Sequence, residues 1–105
     1  MNIYQDAENY RCEEEFPLVA REHDRQIEKW GYQRRSLFEW ITYLTEEVGE
    51  LAEAVSNIEY DSQSKDASIM RGDAIKEAHQ VAALATRMAA IIRLNVKEAS
   101  HANDK

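Results

Sequence analysis

The chain lacks several features that stabilise or anchor small proteins, and each absence narrows the class of protein. Among its 105 residues there is one cysteine, Cys12, so no internal disulfide can form. No apolar run is long enough for a membrane span or for the hydrophobic segment of a signal peptide. We therefore expect a protein of the reducing cytoplasm that has no membrane partner.

Positive charge is scarce and scattered along the chain. Lys and Arg total 13 against 20 Asp and Glu, which gives a net charge of -7, and no basic run offsets it locally. A chain of this charge repels phosphate backbones, so nucleic-acid binding is not expected. Negative charge does attract divalent cations, and a bound cation can bring a polyphosphate into an acidic site.

Helix breakers and strand signals are also few. The chain has 3 Gly and 1 Pro, with 44% hydrophobic and 31% charged residues. This composition is typical of a folded helical protein, and it predicts one all-α domain over residues 1–105, an antiparallel bundle of three to four helices. A bundle of this size buries only a modest core, so we expect it to assemble through helix faces into a homodimer or homotetramer.

Two helix starts can be predicted from the sequence. Proline is favoured at the first helical position, and a glycine follows the end of the segment, so the first helix is expected over residues 17–29. Ser36 followed by Glu39 has the form of a capping box, which predicts a second helix over residues 37–60.

The rest of the chain is assigned by its polarity and periodicity. Residues 61–68 are polar and rich in turn formers, so a loop is expected there, followed by a third helix over residues 69–98. Residues 1–15 show no firm period, which leaves a short helix and a loose lead-in both open. Residues 100–105 are predicted to be a disordered tail.

Apolar residues follow helical spacing on both long helices. On the second helix they form one stripe: Leu37, Trp40, Ile41, Leu44, Val48, Leu51, Val55 and Ile58. On the third helix an alanine-rich face comprises Ile75, Ala78, Ala82, Ala85, Ala89, Ile92 and Val96. A second face of the third helix comprises Leu84, Met88 and Ile91. Two apolar faces on one helix require two partners, either from this chain or from another subunit.

An acidic cluster lies in the middle of the second helix. At about 100° per residue, Glu47 and Glu50 flank the apolar stripe, whereas Glu46 and Glu53 point nearer the opposite side. Carboxylates spaced by three residues lie on adjacent turns and can share one cation. Gly49 between them allows close approach of another backbone or a ligand.

The third helix offers a matching set of oxygen atoms. Asp73, Glu77 and Gln80 share one face, and if this face meets the flank of the second helix, four or five oxygen ligands converge. Such a set suits Mg²⁺ or Mn²⁺ better than zinc, which prefers His or Cys. The alternative is that these glutamates form an ordinary solvated helix face.

Two segments resemble the MazG-like members of the all-α nucleoside triphosphate pyrophosphohydrolase superfamily. Residues 46–50, Glu-Glu-Val-Gly-Glu, resemble the first acidic motif of that family. Residues 25–33, Arg-Gln-Ile-Glu-Lys-Trp-Gly-Tyr-Gln, resemble an upstream stretch found in one branch. The resemblance covers about residues 22–92. Gln80 stands where the second acidic motif of the family has Asp, as in a variant associated with the same branch.

The resemblance implies hydrolysis of a nucleoside triphosphate between its α and β phosphates, giving a monophosphate and pyrophosphate, and a role in clearing non-canonical nucleotides. It implies that Glu47, Glu50 and Glu77 bind Mg²⁺, or Mn²⁺. Gln80 and Asp73 are further candidate ligands, and Glu46 is the candidate acceptor for the proton of the attacking water.

Substrate contacts are expected from residues outside the acidic motifs. Lys29, Arg34, Arg35 and Lys76 are candidates for contacts with phosphate oxygens, although exposed basic residues are usually solvated. Trp30 either stacks on a base or anchors the end of a helix. Two alternatives remain: a catalytically weak module that binds a nucleotide or partner, and a structural interaction module.

Overall fold

The computed structural model describes residues 2–60 and 67–103, and for residues 9, 10 and 95–103 it describes only the helical backbone. The elements are α1 (Ile3–Asp6), a π-helical turn (Ala7–Arg11), α2 (Cys12–Trp30), α3 (Leu37–Tyr60) and α4 (Ala67–Asn103). No strand occurs within the described ranges, which confirms the all-α prediction for them. None of the described helices combines the length and apolar content needed to cross a bilayer.

The N-terminal region is helical from Ile3, so the predicted helix start at Pro17 is wrong. Pro17 lies inside α2, where its ring nitrogen has no hydrogen to donate to the preceding turn. The start signal lies upstream, at Asn2. Its side-chain oxygen accepts from the Gln5 backbone N–H at 2.9 Å, and the Gln5 side chain accepts from the Asn2 N–H at 3.2 Å. This capping box begins the helical segment that leads into α2.

The boundaries between α2 and α3 follow the sequence signals. Gly31 ends α2 with a φ of 72°, a value that favours glycine, and its N–H donates to the Ile27 carbonyl at 2.7 Å. The Ser36 hydroxyl oxygen accepts from the Glu39 N–H at 3.1 Å, and the Glu39 carboxylate accepts from the Ser36 N–H at 3.1 Å. The predicted capping box and the start of α3 are therefore confirmed.

Helix α4 is longer than predicted at both ends. It begins at Ala67 rather than Ile69 and continues through residues 100–103, where the sequence predicted a disordered tail. No proline and no glycine follow Gly72, and alanines recur to the end, so nothing local stops the helix. Residues 61–66 of the predicted loop and residues 104–105 of the predicted tail lie outside the described residues.

The core lies between α3 and α4. Trp40, which is 2% exposed, packs with Leu84 and Met88, and Leu44 and Ile91 pack against this group. The leucine-methionine face of α4 therefore has α3 of the same chain as its partner. Helix α2 packs on α4 as well.

Part of the apolar surface stays uncovered in the single chain. The exposed members of the α3 stripe form one edge: Leu37, Ile41, Val48 and Val55. On the alanine-rich face of α4, Ala82 is half-buried and the other members with described side chains are exposed: Ile75, Ala78, Ala85, Ala89 and Ile92. The side chain of Val96 lies outside the described residues. No large side chain among those described is completely buried, so the core of one chain is small.

Candidate metal centre and adjoining cavity

Three glutamates from two helices converge on one point. Glu47 and Glu50 extend from α3 and Glu77 from α4, and one carboxylate oxygen of each lies within 4.8 Å of the others. We call these residues the carboxylate triad. Glu47 and Glu77 are half-buried, whereas Glu50 is exposed. The flank of α3 therefore meets the Glu77 face of α4, which is the condition under which oxygen atoms of both helices converge.

Electrostatics within the triad favour neutralisation of its charge. Partial burial raises the pKa of Glu47, and the nearby Glu50 and Glu77 raise it further. Burial also raises the pKa of Glu77, with Glu50 as the next cause. Crowded carboxylates of this kind hold a proton or a cation more strongly than isolated ones do.

Gln80 bridges the two half-buried members of the triad. With its amide nitrogen turned toward the carboxylates, it donates to Glu77 Oε2 at 2.9 Å and to Glu47 Oε2 at 3.1 Å. This orientation is assigned because the opposite one places the amide oxygen against acceptors only. Gln80 therefore faces the site, as predicted, but presents a donor to it. Rotation of the amide would present the oxygen that the sequence suggested as a metal ligand.

The other acidic candidates lie outside the triad. Asp73 is exposed one turn before Glu77 and is a minor contributor to the raised pKa of that residue. Glu46 and Glu53 are exposed, in keeping with their predicted direction. Around Gly49 there is open space, since no described atom outside its own helical backbone lies within 4 Å of where a Cβ would be.

His79 has a structural contact away from the triad. Its Nε2 lies 2.7 Å from Glu15 Oε1, which joins α4 to α2. His79 is therefore directed toward α2 and is not one of the three residues that converge at the triad. An open groove of about 560 Å³ runs along this side of α2 and α4, and no triad member lines it.

A cavity of about 370 Å³ adjoins the triad, with Glu47 and Gln80 in its wall. Among the predicted substrate contacts, the structure brings four to this cavity: Lys29, Trp30, Arg35 and Lys76. Arg34 does not line it and is exposed. Helices α2, α3 and α4 all contribute to the wall, so the cavity depends on all three helices being in place.

Sequence reasoning missed several residues of the cavity wall: Arg25, Gln26, Trp40, Tyr43 and Arg87. The most informative are Gln26 and Arg87, which are 5% and 9% exposed. Arg87 lies seven residues after Gln80, which is two turns along the same face of α4. That spacing is a signal that could have identified it.

Gln26 connects α2 to the site through hydrogen bonds. Its amide nitrogen donates to Glu22 Oε2 at 3.1 Å and to the Gln80 backbone carbonyl at 3.5 Å. Its amide oxygen accepts from Arg87 Nη1 at 3.5 Å. A buried glutamine that uses both ends of its amide holds α2 in a fixed position against α4.

Aromatic rings support the cations of the cavity. The pairs, with distances from the cation to the ring centroid, are Arg87 and Trp40 at 5.0 Å, Arg35 and Tyr43 at 4.6 Å, and Lys29 and Trp30 at 4.8 Å. A ring face attracts a cation without neutralising its charge. The rings therefore position positive charge beside the triad and leave it available.

Comparisons of the chain with protein-family profiles, curated proteins and solved structures find no match. Function is therefore inferred from the residues and their geometry.

Proposed function

We propose that the protein is a metal-dependent nucleoside triphosphate pyrophosphohydrolase that uses Mg²⁺, with Mn²⁺ as an alternative. The observation that carries this proposal is a carboxylate triad within 4.8 Å that adjoins a cavity rich in basic side chains. Three carboxylate oxygens suit a hard divalent cation, and the basic residues suit the phosphates that such a cation accompanies. The resemblance of residues 46–50 and 25–33 to MazG-like proteins points the same way.

In this proposal the triad residues Glu47, Glu50 and Glu77 hold the cation. Asp73, or Gln80 after rotation of its amide, supplies a further oxygen. When bound, the cation neutralises phosphate oxygens and polarises the attacking water.

Glu46 is the proposed acceptor of the proton from that water, since it precedes Glu47 in the acidic motif and is solvent-exposed. Lys29 and Lys76 contact phosphate oxygens from the cavity wall. The products are a nucleoside monophosphate and pyrophosphate, and the biological role is removal of non-canonical nucleotides.

The proposal includes assembly of the helical bundle into a homodimer or homotetramer. The exposed edge of α3 recurs at helical spacing through Ile41, Val48 and Val55, which suits packing against a second copy of the chain. The small core of one chain supports the same conclusion, because burial of this edge would extend it.

A catalytically weak module that binds a nucleotide is the second candidate function. The specific observation in its favour is the amide of Gln80, which donates to both Glu47 and Glu77. These hydrogen bonds stabilise the two carboxylates when no cation is bound. The site should therefore bind a cation more weakly than it would with a fourth acidic side chain at position 80.

Pyrophosphate release tests the proposal. The purified protein is incubated with canonical and modified nucleoside triphosphates and Mg²⁺ or Mn²⁺. We expect release by the parent protein, loss of release in Glu50→Gln and Glu77→Gln, and retention in Glu53→Gln, which removes the same charge from an exposed position outside the triad.

Two other outcomes are decisive. Metal binding without turnover on any nucleotide selects the weak binding module. Absence of turnover together with equal metal affinity in the parent and in Glu50→Gln rejects the metal site.

A further inference from the structure

Arg87 is a buried cation whose charge no acidic side chain neutralises in the part of the chain that the structure describes. It is 9% exposed, and its described contacts are the Gln26 amide oxygen at 3.5 Å and the Trp40 ring at 5.0 Å. No carboxylate among the described residues forms an ion pair with it. Burial of a charge without an opposite charge is unfavourable, so the binding of an anion from outside the chain would stabilise Arg87.

Arg25, in the same cavity wall, is an arginine whose charge is neutralised by a carboxylate, and it serves as a comparison for Arg87. It donates to Glu22 from Nε at 2.7 Å and from Nη2 at 2.8 Å, and this pairing lowers the pKa of Glu22. Arg87 has no such carboxylate partner within residues 2–60 and 67–94, the ranges whose side chains the structure describes apart from residues 9 and 10. Burial lowers the pKa of Arg87, and the nearby Arg35 lowers it further.

Positive charge is concentrated in this cavity although the chain as a whole is acidic. The basic residues of its wall are Arg25, Lys29, Arg35, Lys76 and Arg87, and the only acidic one is Glu47. Lys29 and Lys76 have no ion-pair partner among the described residues, and Arg35 has one distant partner, Glu39, at 3.9 Å. The excess of cations over carboxylates in this wall matches a ligand with several negative charges.

Trp40, the ring that contacts Arg87, is 2% exposed and therefore has no open face for a stacked base. Trp40, Tyr43 and Trp30 each have a ring face covered by a cation of the cavity. Planar guanidinium groups also match the geometry of phosphate oxygens. These two observations favour phosphate over a base as the group that enters beside Arg87.

We propose that the cavity binds the phosphate chain of a nucleotide, with Arg87 as its central buried cation, and that this binding needs no divalent cation. The identity of the anion as part of a nucleotide rests on the proposed function. The triad and the cavity then have separate tasks: the triad holds the metal, and the cavity holds phosphates whether or not the metal is present.

The test is calorimetric titration of inorganic triphosphate into the full-length protein in EDTA at low ionic strength. We expect binding that weakens with added salt, and Arg87→Met should weaken it by roughly tenfold or more. Arg93→Met removes the same charge from an exposed position on α4 and should change the affinity by less than about twofold. Arg87→Lys should fall between the parent and Arg87→Met.

A second variant covers the case in which Arg87→Met does not fold. Lys76 is exposed on the cavity wall, so Lys76→Met should fold and should also weaken triphosphate binding relative to Arg93→Met. The proposal is overturned if triphosphate does not bind in EDTA, or if the cavity variants and Arg93→Met weaken it equally. It is also overturned if nucleosides without phosphate bind and triphosphate does not.

Failure of this proposal can be told apart from failure of the catalytic one. If triphosphate binds in EDTA with the expected pattern but no nucleotide is hydrolysed with Mg²⁺ or Mn²⁺, the anion site stands and the catalytic proposal is rejected. If nucleotides are hydrolysed but triphosphate binds only with the metal, the anion site is rejected and the catalytic proposal stands.

Discussion

Replacement of Glu50 by glutamine should have opposite effects on stability with and without a divalent cation. One carboxylate oxygen of Glu50 lies within 4.8 Å of an oxygen of Glu47 and of Glu77, so Glu50 repels both. Since Glu50 is exposed, the dielectric constant of water applies, and each repulsion is worth about 1 kcal/mol. Relief of both is worth about 2 kcal/mol, which in a domain of this size should raise the Tm in EDTA by about 8 °C.

Magnesium should reverse the ranking of the two proteins. A site filled at 100 times its Kd adds about 2.7 kcal/mol to the stability of the parent. Glu50→Gln lacks one of the three charged ligands, so most of this gain should be lost.

Thermal unfolding measured by circular dichroism, in EDTA and over a MgCl₂ titration, checks both effects. Glu53→Gln is the matched control, because it removes one exposed carboxylate from the same helix outside the triad. The reasoning is refuted if both variants gain equal Tm in EDTA, or if MgCl₂ stabilises Glu50→Gln as much as it stabilises the parent.

Three further predictions concern the same region. The pKa values of Glu47 and Glu77 are raised above the ordinary 4.5, so the folded state binds protons more tightly than the unfolded state. In EDTA these two groups should therefore make the free energy of unfolding fall as the pH rises from 4.5 through the raised values. Urea midpoints should show a smaller fall in Glu47→Gln, and an equal fall would contradict the assignment. Gln80→Asp removes two donated hydrogen bonds and adds a charge, so it should lower the free energy of unfolding in EDTA by about 2 kcal/mol. It should also tighten Mg²⁺ binding in a calorimetric titration. Unchanged affinity would show that position 80 does not face the ion. Gly49→Ala should raise the Tm by about 4 °C, because helix propensity gains about 1 kcal/mol in open space; a lower Tm would reveal an approaching second subunit.

Local signals in the sequence predicted those features that local interactions determine. The capping box of Ser36 and Glu39 uses atoms three residues apart, and the end of α2 depends on the backbone of Gly31. Such features need no knowledge of the tertiary structure. The direction of Glu47 relative to Glu46 also follows from helix geometry alone.

Pro17 shows where a local signal was given too much weight. Proline is favoured at a helix start but is also found inside helices when upstream residues supply the cap. Here Asn2 and Gln5 supply it, and the sequence between them and Pro17 has no strong apolar period to reveal a helix.

The cavity was the hardest part to predict because it is formed by three helices. The role of Arg87 depends on its distance from carboxylates of other elements, which sequence spacing on α4 does not report. The same holds for Gln26, whose burial results from the packing of α2 on α4. The sequence identified Trp40 as a residue of the apolar stripe. Its contact with the guanidinium group of Arg87 depends on the packing of α3 on α4, which the sequence pattern does not report.

Gln80 makes contact with groups on all three long helices. Its amide spans Glu47 on α3 and Glu77 on its own helix, and its backbone carbonyl accepts from Gln26 on α2. A cation that binds the triad competes for the carboxylate oxygens to which this amide donates. Because linkage is reciprocal, detachment of α2 should change the affinity for the cation by the same factor by which the cation changes the attachment of α2. Backbone amide exchange in α2 should then change when a cation binds the triad, so a helix that contributes no triad residue reports occupancy of the site.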